Sequence, residues 1–364
     1  MTLDTPLARL IRQDVQSMHA YAVQDSAGMV KLDAMENPYS LPPELQAELG
    51  RRLGVLALNR YPDRRLGDLR QALARYADMP AGFALMLGNG SDELISLLAM
   101  ACDLPGATIL APVPGFVMYA MSAQLQGLNF VGVPLSPDFE LDLPAMLQAI
   151  EQHKPSITYL AYPNNPTANC WDDAAIETLI DAVGRQGGLV VMDEAYQPFA
   201  GKSYIDRIAA HRHVLLMRTL SKFGLAGIRL GYVMGPAALM AEIDKVRPPY
   251  NVSVLNCECA LFALEHQAVF AQQAQAIVAE RDKLLAALAA LPGVTPFRSD
   301  ANMVLLRLGG PPERASAVFD ALKGQRVLVK NVSKMHPLLS NCLRLTVGTP
   351  DENALLLQAL QQSL

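Results

Sequence analysis

Between residues 107 and 234 the chain repeats one device: a short apolar run, then a polar turn or a helical pattern. The runs are Ala107 to Ala111, Asn129 to Val133, Ile157 to Ala161, Leu189 to Met192, Val214 to Met217 and Gly231 to Met234. Runs this apolar fit strands buried on both faces of a sheet. Helical periodicity appears at Ser91 to Cys102, Leu143 to Gln152 and Asp173 to Arg185. Strand–helix alternation predicts an α/β fold, with a mostly parallel central sheet wrapped by helices.

On either side of this core the pattern changes. Leu7 to Met18 reads as an amphipathic helix, followed by an irregular arm carrying Tyr21. Pro42 to Gly54 and Leu66 to Ala77 read as helices, joined through a polar loop that contains Tyr61. After Pro248-Pro249, one long helical pattern runs from about Leu255 to Leu291. Met303 to Leu308, Val327 to Lys330 and Leu343 to Val347 then read as strands, and Pro311 to Lys323 and Asp351 to Gln362 as helices. The expected organisation is a large domain at 36–250. A smaller α/β domain would use 251–364 together with the arm at 1–35. A length of 364 residues suits about two domains.

Composition excludes several classes of function. The net charge is 30 − 35 = −5 and no basic block stands out, which argues against nucleic acid as a partner. The longest apolar stretches, such as Leu97 to Cys102, are too short to span a bilayer. The first residues hold Asp4, Arg9, Arg12 and Asp14 rather than an apolar signal core. Five scattered cysteines read as reduced thiols, and the six histidines lack metal-ligand spacing. A soluble cytoplasmic protein without a metal is expected.

Five motifs carry chemistry. Gly88-Asn-Gly-Ser-Asp-Glu93 opens a helix, whose free N–H groups suit a phosphate. The dinucleotide fingerprint would need glycine where Glu93 stands. Phe116 follows the first strand run closely and could lie against a ring. Tyr162-Pro-Asn-Asn-Pro-Thr167 is a rigid turn presenting amides. Asp193-Glu-Ala-Tyr196 follows a buried strand, where a carboxylate is costly unless something positive faces it. Arg218-Thr-Leu-Ser-Lys-Phe-Gly-Leu-Ala-Gly-Ile-Arg-Leu-Gly231 combines hydroxyls and an arginine for phosphate with one lysine for a carbonyl. Each has a plainer account alone: a glycine turn capped by Ser91 or Asp92, a core phenylalanine, an Asx turn, a solvated loop.

The conjunction decides. In open α/β sheets ligands sit at the carboxyl ends of strands, and Asn165, Asp193, Ser221 and Lys222 all stand at such ends. A phosphate cradle, a buried acid, a phenol three residues later and a lysine 222 − 193 = 29 residues on match a pyridoxal phosphate enzyme. The segments P-N-N-P-T, D-E-A-Y and L-S-K…A-G-I-R-L-G resemble those of the fold-type I aminotransferases. Asn59-Arg-Tyr-Pro62 and Cys342-Leu-Arg-Leu-Thr-Val-Gly-Thr349 make the chain most similar to histidinol-phosphate aminotransferases within that family.

The resemblance implies a set of roles. Lys222 would carry pyridoxal 5′-phosphate covalently and shuttle the proton. Asp193 would pair with the ring nitrogen, Asn165 and Tyr196 would bond the ring's 3-oxygen, and Phe116 would stack on the ring. Ser91 and Asp92 would offer backbone N–H groups to the phosphate, and Thr219, Ser221 and Arg229 their side chains. Tyr61 would reach the cofactor of a partner subunit, which implies a homodimer. Arg344 would grip the acidic group of the substrate, with Tyr21 closing over it. The implied reaction moves the amino group between L-histidinol phosphate and 2-oxoglutarate, yielding imidazole acetol phosphate and L-glutamate, in histidine biosynthesis. Aromatic or broad-range aminotransferases and phosphothreonine-type decarboxylases of the same fold are the neighbouring alternatives. Three positions depart from the family pattern. Ala168 replaces the usual glycine after P-N-N-P-T, the loop from Lys222 to Arg229 is one residue shorter, and Lys330 stands where a second arginine is often found.

Overall fold

The computed structural model describes residues 9–18, 24–62 and 64–364. A seven-stranded sheet forms its centre, in the order β2-β8-β7-β6-β5-β3-β4. These strands are β2 (Phe83–Gly88), β3 (Thr108–Val113), β4 (Asn129–Pro134), β5 (Ile157–Ala161), β6 (Leu189–Asp193), β7 (Val214–Thr219) and β8 (Gly231–Pro236). They follow a two-residue strand, β1 (Val30–Lys31), that lies outside this sheet. Neighbours from β4 through β7 are parallel, whereas β8 is antiparallel to both β7 and β2. Only Leu220 to Leu230 join β7 to β8. That connection holds no crossover helix, so β8 must return antiparallel.

This topology gathers the chemistry on one edge. Val113, Ala161, Asp193 and Thr219 end parallel strands, and Gly231, which starts β8, pairs with both Gly88 and Thr219. Every strand-end motif therefore faces the same rim. Leu110, Leu160, Met192, Leu216 and Met234 are buried on one sheet face, and Ile109, Tyr159, Val191, Leu215 and Val233 on the other. Helices cover both, as the apolar runs require.

A four-stranded antiparallel sheet lies beyond residue 290, ordered β12-β13-β10-β9. Its strands are β9 (Val294–Pro296), β10 (Met303–Leu308), β12 (Lys330–Asn331) and β13 (Cys342–Thr346). The predicted strand at Val327 to Lys330 divides at Val329. Its first part, β11 (Val327–Leu328), pairs with β1, and its second part pairs with β13.

The expected single helix from Leu255 to Leu291 is two helices, Val254–Glu265 and Gln267–Ala289, parted at His266. Cys257, Ala260, Ala263 and Leu264 of the first belong to the large-sheet core. Ala274, Ile277, Leu284 and Leu288 of the second belong to the core around the small sheet. The chain bends because its two halves bury against different cores. The N-terminal helix is shorter than predicted: within the described residues it covers Gln13–Ser17. Two helices without a sequence forecast, Val117–Gln126 and Ala237–Ile243, also pack on the large sheet. No helix among the described residues is long and apolar enough to cross a membrane.

Candidate active site

The rim opens into a cleft whose lining includes Ser91, Asp92, Phe116, Asn165, Asp193 and Lys222. Tyr196, Thr219, Ser221 and Arg229 line it too.

At one end stands the helix Ser91–Ala101. Its N-cap is Gly90, at φ 87, and no side chain caps it. Neither Ser91 nor Asp92 takes the capping role, so the first turn's N–H groups face the rim without a side-chain acceptor. A β-carbon on Gly90 would lie 2.6 Å from Arg229 Nη2, and one on Gly231 would lie 2.8 Å from the Ser91 nitrogen. Glycine at both positions lets β8, the helix start and the guanidinium converge. Arg229 Nη1 reaches Ser221 Oγ at 3.5 Å, and the Ser221 hydroxyl meets that of Thr219 at 3.1 Å. Arg229 Nη2 also pairs with the Asp92 carboxylate at 3.1 Å. The short loop keeps Arg229 at the cleft through a wide helical turn at Ser221–Leu225, with Gly224 at φ 140, and a left-handed Arg229 at φ 48.

At the other end lies Asp193, 4% exposed. Tyr119 donates its hydroxyl to Asp193 Oδ2 at 2.7 Å, and the Ala195 N–H donates to Oδ1 at 3.1 Å. Burial raises the carboxyl pKa to about 6, and these two donors restrain the rise. Tyr119 stacks on Tyr159 at 4.2 Å and meets Phe116 edge-on at 5.7 Å. Phe116 thus borders the cleft beside the acid.

Between the ends sit the lysine and the amide. Lys222 Nζ donates to the Ala34 carbonyl at 2.9 Å and lies 5.9 Å from the centre of the Tyr196 ring. Burial lowers its pKa to about 8, with the charge of Arg344 acting in the same direction. Asn165 Nδ2 donates to Tyr196 Oη at 3.0 Å, and burial raises the Tyr196 phenol above its ordinary range. Asn165 Oδ1 accepts from Arg344 Nη1 at 2.7 Å.

Arg344 arrives from the small sheet, on β13, and its Nη2 also donates to the Asp33 carbonyl at 2.7 Å. Lys330 is its cross-strand partner in β12. Directly opposed residues project from the same face of a sheet, so both cations stand on one side. Tyr61 does not line the cleft. It is 75% exposed and stacks on Tyr250 at 4.5 Å. Tyr21 lies outside the described residues.

Tyr119 is the site residue that the motifs did not reveal. It stands three residues after Phe116, one helical turn along the unforecast helix Val117–Gln126, and so shares its face. Recognising that helix would have supplied the signal. Met35 also lines the cleft from the N-terminal segment.

This donor set fits pyridoxal phosphate. Hydroxyls, a guanidinium and uncapped helix N–H groups suit its phosphate, and a buried carboxylate suits a cationic ring nitrogen. An apolar aromatic suits the ring, and an amine of lowered pKa suits its aldehyde.

The profile of the family described as aminotransferase class I and II matches residues 27–360. The histidinol-phosphate aminotransferase of Polaromonas naphthalenivorans is 73% identical over 363 residues, which cover 100% of this chain and 98% of the relative. That of Methylibium petroleiphilum is 71% identical over 355 residues, covering 98% and 95%. The crystal structure of histidinol-phosphate aminotransferase from Sinorhizobium meliloti, in complex with pyridoxal-5′-phosphate, matches with a TM-score of 0.85. It is 25% identical, and the match covers 97% of each chain.

Proposed function

The chain belongs to the class I and II aminotransferase family, and from that premise we propose that it moves the amino group of L-histidinol phosphate to 2-oxoglutarate. The products are imidazole acetol phosphate and L-glutamate, in a cytoplasmic step of histidine biosynthesis. Pyridoxal phosphate is the cofactor of the family reaction, and when bound it supplies an electron sink for the pair left by a broken C–H bond.

The protein's residues then divide the work. Ser91 and Asp92 N–H groups, with Thr219, Ser221 and Arg229, hold the phosphate. Asp193 keeps a positive charge on the ring nitrogen, held in place by Tyr119. Asn165 and Tyr196 bond the ring's 3-oxygen, and Phe116 covers the ring. Lys222 anchors the cofactor and, once released, moves the proton from the substrate carbon. An amine of pKa about 8 is neutral in about one molecule in ten at pH 7, against about one in three thousand for an ordinary lysine. The displaced lysine is therefore a competent base. Arg344 takes the anion that each substrate presents, the phosphate of histidinol phosphate or a carboxylate of glutamate, with Tyr21 closing over it.

The cross-strand pairing of Lys330 with Arg344 is the observation that carries the choice of donor. Two cations on one sheet face suit a dianionic phosphate better than a lone carboxylate. Tyr61 acts in trans, in a homodimer. The same reading divides the chain later than residue 250, near His266, because the helix Val254–Glu265 buries in the large-sheet core, with the arm joining the smaller domain.

Borohydride reduction of the holoenzyme and peptide mapping test the cofactor anchor: the pyridoxyl label belongs on Lys222. A label elsewhere rejects it. A donor panel tests the substrate: histidinol phosphate should exceed phenylalanine and free histidinol in kcat/KM. Lys330→Ala should harm histidinol phosphate more than glutamate, whereas Arg344→Ala should harm both. Equal kcat/KM across the panel would reject the phosphorylated donor and leave a broad-range aminotransferase.

A further inference from the structure

Ala168 stands at φ 68 with its methyl fully buried. An alanine adopts that left-handed conformation only where its surroundings impose it. The residue bonded to this turn comes from the connection between β9 and β10 of the small sheet. The Asp300 N–H donates to the Ala168 carbonyl at 2.7 Å, and Asp300 Oδ2 accepts from the Cys170 N–H at 2.8 Å. Beside it, Arg298 Nη2 donates to the Cys170 carbonyl and to Glu140 Oε1, each at 2.7 Å.

The clamped turn is closed from within. The Ala168 N–H donates to the Asn164 carbonyl at 2.8 Å, the Asn164 N–H to the Asn169 carbonyl at 3.0 Å, and Asn164 Nδ2 to Thr167 Oγ1 at 2.8 Å. These bonds tie Asn164, Thr167, Ala168 and Asn169 into one closed turn around Asn165. In that turn Asn165 lies between Tyr196 Oη and Arg344 Nη1. At its far end is Asp300. The segment behind Asp300 also reaches the rest of the site. Asn302 Nδ2 donates to the Met35 carbonyl at 3.0 Å, and the Asn302 carbonyl accepts from the Val347 N–H at 2.9 Å, just past the strand of Arg344.

We propose that Asp300 is a positioning residue, whose reciprocal pair with Ala168 and Cys170 holds the strained turn closed and so aims the Asn165 amide into the cleft. This rests on the reading that Asn165 bonds the 3-oxygen of bound pyridoxal phosphate.

The test is the pH midpoint of the visible absorption band of the purified holoenzyme. Donors to the ring oxygen favour the deprotonated chromophore, so a misaimed Asn165 raises the midpoint. Asp300→Ala should raise it by about one pH unit, the scale of one charge-assisted bond. Asp300→Asn keeps an acceptor oxygen and should shift it by less than half as much. Adding Ala168→Gly to Asp300→Ala should restore most of the midpoint, because glycine holds the left-handed conformation unaided. A wild-type midpoint in Asp300→Ala, whatever its melting temperature, overturns the proposal. If Asp300→Ala does not accumulate folded, Asp300→Asn with and without Ala168→Gly decides, and a shift that glycine fails to reverse overturns it. Asn165→Ala separates the two ideas. If that variant keeps the wild-type midpoint, the role given to Asn165 has failed, not the clamp.

Discussion

Lys222 and Asp193 are both held away from their ordinary proton affinities, in opposite directions. The Lys222 pKa is depressed to about 8, so folding disfavours its charged form, and that penalty grows as pH falls from 10.5 through 8. The Asp193 pKa is raised to about 6, so folding disfavours its carboxylate, and that penalty grows as pH rises from 3.8 through 6. Between pH 6 and 8 the protein without cofactor carries both. Each amounts to about 3 kcal/mol at 1.36 kcal/mol per unit of pKa. Asp193→Asn should therefore raise the melting temperature of the cofactor-free protein at pH 7.5 by a few degrees. The same change should lower kcat by about a hundredfold or more. A lower melting temperature would contradict the buried-charge penalty. Lys222 predicts a kinetic counterpart. Only the neutral amine attacks an aldehyde, so stopped-flow association of pyridoxal phosphate should quicken with pH to a midpoint near 8. A midpoint near 10.5 would show an ordinary lysine.

Strand ends do most of the assembling, and Gly231 is where three elements meet. Its missing β-carbon leaves room for the Ser91 nitrogen, a backbone atom that cannot swing aside. Gly231→Ala should push the Ser91–Ala101 helix from β8, at about 1–3 kcal/mol of stability. It should weaken pyridoxal phosphate about tenfold or more by spectroscopic titration. Unchanged affinity would exclude the helix start from phosphate binding. Elements with a uniform apolar run and a polar stop were legible in the sequence. β5, β6 and β7 end where Asn165, Asp193 and Lys222 were expected to follow. Elements without such marks were not. The Val117–Gln126 helix is apolar on several sides, so no stripe announced it, and Tyr119 was lost with it. His266 breaks a helix with neither glycine nor proline beside it, because tertiary burial rather than local propensity sets the bend. Register is a third such case. Nothing local in Val327 to Lys330 says that one half pairs with β1 and the other with the strand of Arg344.

For the whole molecule, Tyr61 is the residue whose place one chain does not explain. Val55, Leu58 and Tyr61 are strongly exposed between the helices Pro43–Gly54 and Arg64–Tyr76, and Tyr250, stacked on Tyr61, is half exposed. Exposed apolar side chains clustered this way mark a contact surface. A two-fold dimer would cover the same patch on both subunits and present each Tyr61 to the other subunit's cleft. Sedimentation should then give a dimer of 39.4 kDa chains. Complementation is the sharper test. Lys222→Ala removes the anchor from its own cleft but leaves a normal Tyr61 to lend. Tyr61→Ala leaves the anchor but lends nothing. Reassembling equal amounts gives about half heterodimers, each with one intact site of two, so activity at limiting pyridoxal phosphate should recover to about a quarter of wild type. Recovery requires both the dimer and the exchange of Tyr61 across it. If the mixture stays at the mean of the two parents although heterodimers form, Tyr61 serves its own subunit and the trans assignment is wrong.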